Sequence, residues 1–97
     1  MMITLSMKNF MPLTSHQTGI KIKDKILNAI KQEDLIVLDF EGVEVCTDSF
    51  MQQLTTILSN EIGFAELRKK VKFTNLNDFI KELVKSKLFL ASREFAA

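Results

Sequence analysis

Four consecutive aliphatics, Leu35-Ile36-Val37-Leu38, constrain this chain more than any other stretch. The run is too short for a helix and rich in strand formers. It reads as a strand buried on both faces, as in a parallel sheet. Asp39, Glu41 and Gly42 punctuate its end, and Thr47, Asp48 and Ser49 then supply helix-start chemistry. Apolar residues follow at Phe50, Leu54, Ile57, Leu58 and Ile62, one stripe of a helix closed by Gly63. In open α/β sheets function sits between a strand's carboxyl end and the next helix, so the loop from Asp39 to Phe50 is the candidate site.

The flanks repeat this pattern. Met2 to Met7 alternates Ile3, Leu5 and Met7 with Thr4 and Ser6, which predicts a strand with one exposed face at a sheet edge. Lys8 to Ser15 holds the only proline, Pro12, and reads as a connector. Gly19 to Lys31 predicts a helix with Ile22, Ile26, Leu27 and Ile30 on one face, its lysines mostly off that face, and Thr18 as N-cap. Phe64 to Leu67 reads as a short turn, and the basic triplet Arg68 to Lys70 as the solvated entrance to a third strand, Val71 to Thr74. Asn75 or Asn77 opens a last helix with Phe79, Ile80, Leu83, Val84 and Leu88 on its stripe. Ala91 to Ala97 is expected to fray, with Phe89 or Phe95 able to fold back onto the body.

The predicted order is thus β-α-β-α-β-α: an α/β fold with a small, mostly parallel sheet of roughly three to four strands joined by right-handed crossovers. At 97 residues the chain is expected to be a single domain, 1–97, ordered over about 2–90. So small a sheet leaves an exposed apolar face or a self-associating edge.

Charge and cysteine content narrow the function classes. Thirteen basic against twelve acidic side chains leave a net charge of +1, which argues against a nucleic-acid or anionic-membrane binder. A lone cysteine, Cys46, forbids an intrachain disulfide and fits a reducing compartment. No apolar run approaches the ~20 residues of a membrane span, and the N-terminus lacks signal-peptide character, so a cytoplasmic location is expected.

Several residues invite chemistry. His16, the only histidine, sits in a polar connector and reads as a surface residue; alone it builds no metal site. Cys46 reads as a small buried hydrophobe rather than a nucleophile, and nothing in the sequence positions His16 against it. Asp39 and Glu41 share a face if the strand continues, yet acids beside a glycine turn are usually solvated, and no phosphate-cradling glycine loop accompanies them. Ser49-x-x-Gln52 is a capping box in which the serine satisfies an orphan N–H; alternatively Thr47 or Asp48 is the cap and Ser49 lies in the first turn. Phe50 either anchors in the core or shields the hydroxyl. No catalytic set, cofactor or metal is expected, so the chain reads as a non-enzyme.

The stretch Asp39-Phe40-Glu41-Gly42-Val43-Glu44-Val45, followed by Ser49-Phe50, resembles the STAS-like family of unassigned function, related to the STAS domains of bacterial anti-sigma-factor antagonists and sulfate-transporter tails. Gly19, Lys72-Phe73 and Asn75 extend the resemblance over roughly 14 to 85. His16 stands where the family commonly has an arginine, and Gln53 where it has an acid.

The resemblance implies a non-enzymatic regulatory module, similar to an anti-sigma-factor antagonist, with a histidine-kinase-like ATPase or anti-sigma-type kinase as partner. Ser49 matches the serine that such antagonists carry as phospho-acceptor. Asp39, Glu41, Gly42, Glu44, Thr47, Asp48 and Phe50 would form the partner-binding loop. Phosphate at a helix N-terminus meets free N–H groups and the positive end of the dipole, and adds roughly −1.5 to −2 charge to an acidic loop. The alternative is a constitutive assembly module that forms a homo-oligomer or binds another protein without a switch.

Overall fold

The computed structural model describes the backbone of residues 1–96 and the side chains of residues 1–93. Three strands, β1 (Met2–Ser6), β2 (Leu35–Asp39) and β3 (Val71–Thr74), form a parallel sheet in the order β1-β2-β3. The alternation read in β1 is realised: Ile3, Ile36 and Val71 lie in one register row, and Leu5, Leu38 and Phe73 in another, all on the helix-covered face. Ile36 and Leu38 are fully buried.

The other face is open, which corrects the expectation that the central strand is buried on both sides. Leu35 and Val37 are half-buried there, in rows with exposed Met2, Thr4 and Lys72. The cause is topological. Sequential parallel strands joined by right-handed crossovers send every crossover to the same side. Helix α1 (His16–Ala29) packs on α2 (Asp48–Gln52), and α5 (Asp78–Ala96) packs on α2 and the turn after it, so one face receives all the helices.

Helix boundaries depart from the expectation where caps compete. Ser15, not Thr18, caps α1, its Oγ accepting from the Thr18 N–H at 3.2 Å, so the helix starts three residues before Gly19. Lys23 is buried rather than off the packed face, and its ammonium donates to Glu61 of α3 (Leu58–Ile62) at 3.1 Å. Pairing offsets the desolvation of its charge.

Between α2 and α3 the helical path widens into a π turn, Gln53–Ile57, which the stripe did not announce. Buried hydroxyls meet carbonyls in and beside it: Thr55 Oγ1 donates to Met51 O of α2 at 2.8 Å and Ser59 Oγ to Thr56 O at 2.9 Å. These bonds let polar side chains sit in the core without unpaired hydroxyls. The segment expected as a turn, Phe64 to Leu67, is instead the start of helix α4 (Phe64–Lys70), and Arg68 to Lys70 end that helix. Cations there complement the helix dipole, so the triplet, which does lead directly into β3 with Arg68 and Lys69 exposed, is also the last turn of a helix.

Asn77 opens α5, its Oδ1 accepting from the Ile80 N–H at 2.8 Å. This phase turns Ile80, Val84 and Ala91 inward and leaves Phe79 more than half exposed, against its expected place on the stripe. The helix runs through Ala91, which is buried rather than frayed; the Phe95 side chain lies outside the described residues. Phe89 does not fold back and is exposed. Among the described residues no helix is long and apolar enough to cross a membrane.

Candidate functional site

Because all the strands are parallel, the connections leaving their carboxyl ends gather at one end of the sheet. They are Met7–Ser15 after β1, Phe40–Thr47 after β2 and Asn75–Asn77 after β3. The loop after β2 begins with a β-turn closed by Val43 N–H to Phe40 O at 3.0 Å, with Gly42 at φ 82°. That backbone region admits glycine without strain. Val43 and Cys46 then point inward while Glu44 and Val45 point outward.

Side chains lock this loop to its neighbours. Asp39 Oδ1 accepts from the Glu41 N–H at 2.9 Å and from Asn75 Nδ2 at 2.8 Å. The Asn75 bond, reinforced by the backbone bond from Glu41, holds the Asp39 carboxyl below the ordinary carboxylate range. Asn77 donates through Nδ2 to Glu44 O at 2.7 Å while its oxygen caps α5. Leu13 O accepts from the Thr47 N–H at 3.0 Å, so the connector after β1 is tied in as well. Asp39 thus ties the loop to the end of β3 through two accepted hydrogen bonds, and Glu41 is exposed.

At the start of α2 the hydroxyl that caps the helix belongs to Thr47, whose Oγ1 accepts from the Phe50 N–H at 3.2 Å. The capping box Ser49-x-x-Gln52 does not form. Ser49 lies one residue inside the helix, exposed, and its hydroxyl has no partner among the described residues. Asp48 beside it pairs with Lys87 of α5 at 3.0 Å.

Phe50 goes into the core, wholly buried. This removes it from the predicted partner-binding surface: the helix's first turn has one inward side, and the ring occupies it. Gly42, Glu44 and Asp48 remain exposed beside Glu41 and Ser49, while Thr47 is half-buried by its capping role.

Sequence reading missed two apolar contributors, Val45 at 64% and Met11 at 52% exposure, which flank a hollow between the Pro12 connector and the Gly42 turn. Neither carried a signal in the sequence: strand-like alternation would put Val45 on the same side as buried Val43, and the turn breaks that period. Lys87 was also missed, because its contact with Asp48 spans 39 residues.

Cys46 is 6% exposed, and burial, with Asp48 adding to it, pushes its thiol up to about 11. His16 is exposed at the first position of α1, whereas Gln53 is half-buried against Gly19, one helical turn after Ser49. A side chain at position 19 would place its Cβ 2.9 Å from the Phe50 carbonyl oxygen and 2.9 Å from Gln53 Cβ, so glycine there sets how closely α1 approaches the Ser49 helix. Among the described residues no three His, Cys, Asp or Glu side chains come together as a metal site.

A one-sided parallel sheet, a strand ending in a glycine turn and an exposed serine at the start of the next helix define a small α/β module of the STAS-like kind. Residues 18–81 match the family described as a STAS-like domain of unknown function, and the chain belongs to that family. No curated protein and no solved structure matches it.

Proposed function

We propose that this domain is a non-enzymatic regulatory module that docks a protein partner on its acidic loop and releases it when Ser49 is phosphorylated. One observation carries the reading: Thr47 takes the capping duty, so the exposed Ser49 hydroxyl is free of any structural task. Glu41, Glu44 and Asp48 are exposed around it, and exposed Val45 and Met11 offer apolar contact. A phosphate among these acids repels a partner docked through them, and it competes with Asp48 for the Lys87 ammonium. The non-enzymatic part rests on a thiol protonated at neutral pH and on an Asp39 carboxylate committed to loop hydrogen bonds.

The partner class is a histidine-kinase-like ATPase, and the setting is the cytoplasm. The test is incubation with the cognate ATPase-kinase and ATP, followed by mass spectrometry. Label is expected on Ser49 and is lost in Ser49→Ala, and Ser49→Asp should weaken partner binding by about tenfold or more. No label together with unchanged affinity of Ser49→Asp overturns the proposal.

Constitutive assembly is the second reading, favoured by the open sheet face bearing Met2, Leu35 and Val37. A stable dimer in light scattering that occludes Ser49 from the kinase would select it.

A further inference from the structure

At the far edge of the sheet from β1, strand β3 has no neighbouring strand on its outer side among the described residues. Between that edge and α5 runs a groove of about 310 Å³. Val71, Phe73, Val84 and Leu88 form its apolar floor, and Arg68, Lys72, Lys81 and Lys85 stand around it. Among the described residues none of these four cations is in an ion pair; Glu66 pairs with Lys70, and Glu82 does not line the groove. The apolar floor continues past Leu88 to Phe64 and to Phe89, which is 61% exposed.

The geometry points to this groove as the docking site of an acidic, extended segment of a partner protein, added to β3 as a fourth strand. Two features select that occupant. The outer edge of β3 carries backbone N–H and C=O groups that only another extended backbone satisfies in sequence, which a lipid chain or a nucleic acid does not do. Val71 and Phe73 face the helix side, so alternate residues of an added strand enter the groove beside them while the intervening ones face outward. The uncompensated cations then choose among strands. Lys72, on the open face of the strand, repels a basic edge, is costly to desolvate against a neutral one, and meets the outward-facing acids of an added strand, while Arg68, Lys81 and Lys85 at the groove rim add to the field that favours glutamate or aspartate.

The experiment titrates the whole domain with a fluorescent peptide alternating valine with glutamate, and with matched peptides carrying lysine or serine in place of glutamate. Hydrogen exchange of the β3 amides is read in parallel. The acidic peptide is expected to bind, to weaken as salt rises, and to slow exchange across Val71–Thr74. The charge reversal Lys81→Glu/Lys85→Glu should cost about tenfold or more in affinity and transfer preference to the lysine peptide. If the reversal lowers thermal stability, Arg68→Ala/Lys85→Ala replaces it with the same expected direction.

Absence of binding, equal binding of all three peptides, indifference to the charge changes, or binding that leaves β3 exchange unaltered each overturns the proposal. So does displacement of the peptide by a single-stranded RNA or by phosphatidylglycerol vesicles, which marks a general polyanion surface. A homodimer that the charge reversal dissociates overturns it in favour of a second copy. The titration is run on Ser49→Ala as well, so this site and the phosphorylation reading stand or fall separately.

Discussion

The carboxyl end of the sheet and the β3–α5 groove are opposites in charge and in construction. At the first, Glu41, Glu44 and Asp48 sit on a loop cross-tied by Asp39, Asn75 and Asn77 and pinned from below by Phe50. At the second, four cations surround an apolar floor beside a strand edge to which no strand pairs among the described residues. A net charge of +1 conceals both, since charges of opposite sign on separate surfaces cancel in the total. A near-neutral total therefore speaks to solubility and long-range steering, while partner choice is set by local fields.

If the acidic end is held by its supports and the groove rim bears little structural load, substitutions should divide the same way. The largest effect is expected for Phe50→Ala, a loss of about 3–4 kcal/mol in denaturant unfolding, because a fully buried ring leaves a cavity under the loop. Gly19→Ala comes next, at about 1–3 kcal/mol, since the added methyl meets the Phe50 carbonyl oxygen and α1 must retreat from α2. Should Gly19→Ala prove neutral, the close helix approach is not what positions the Ser49 helix.

Thr47→Ala should cost about 1 kcal/mol as a lost N-cap. Ser49→Ala and Lys85→Ala should each stay within about 0.5 kcal/mol. A Ser49→Ala penalty equal to that of Thr47→Ala would mean that the serine is the cap and is not free for modification.

The pH response sharpens the contrast further. Asp39 has a folded-state pKa below its ordinary 3.8, so its contribution to stability is present above that value and is lost as pH falls through the lowered one. Asn75→Ala removes the first cause of the shift and should flatten this acid limb, as measured by unfolding midpoints between neutral and acidic pH. The groove lysines should leave that limb unchanged.

Much of this fold is readable in one dimension because it follows from period. Alternation in Met2–Met7 and the aliphatic run at Leu35 identify strands, and spacings of three and four identify the core faces of the helices, because side-chain direction repeats with the backbone. Reading weakens where two residues compete for one role. Ser15 and Thr18 are both good caps, as are Thr47 and Ser49, and the hydroxyl that meets the free N–H is chosen by where the incoming chain enters. Phe64–Lys70 is seven residues with no full apolar stripe, so its helix was hidden. Phe79 had the right spacing but lost its place when Asn77 set the phase of α5.

By itself, the order of residues determined the three strands and the helix that follows each of them, though not the helix Phe64–Lys70 or the π turn. It likewise determined the glycine turn after β2, the inward direction of Ile36 and Leu38, and the burial of Cys46. Each follows from local chemistry and from periods of a few residues. Tertiary structure alone decided that one sheet face stays open, that Phe50 enters the core while Ser49 meets water, and that Asp48 finds Lys87. It also gathered Arg68, Lys72, Lys81 and Lys85 around one groove. These outcomes depend on crossover direction and on contacts between residues far apart in the chain, which no local pattern encodes.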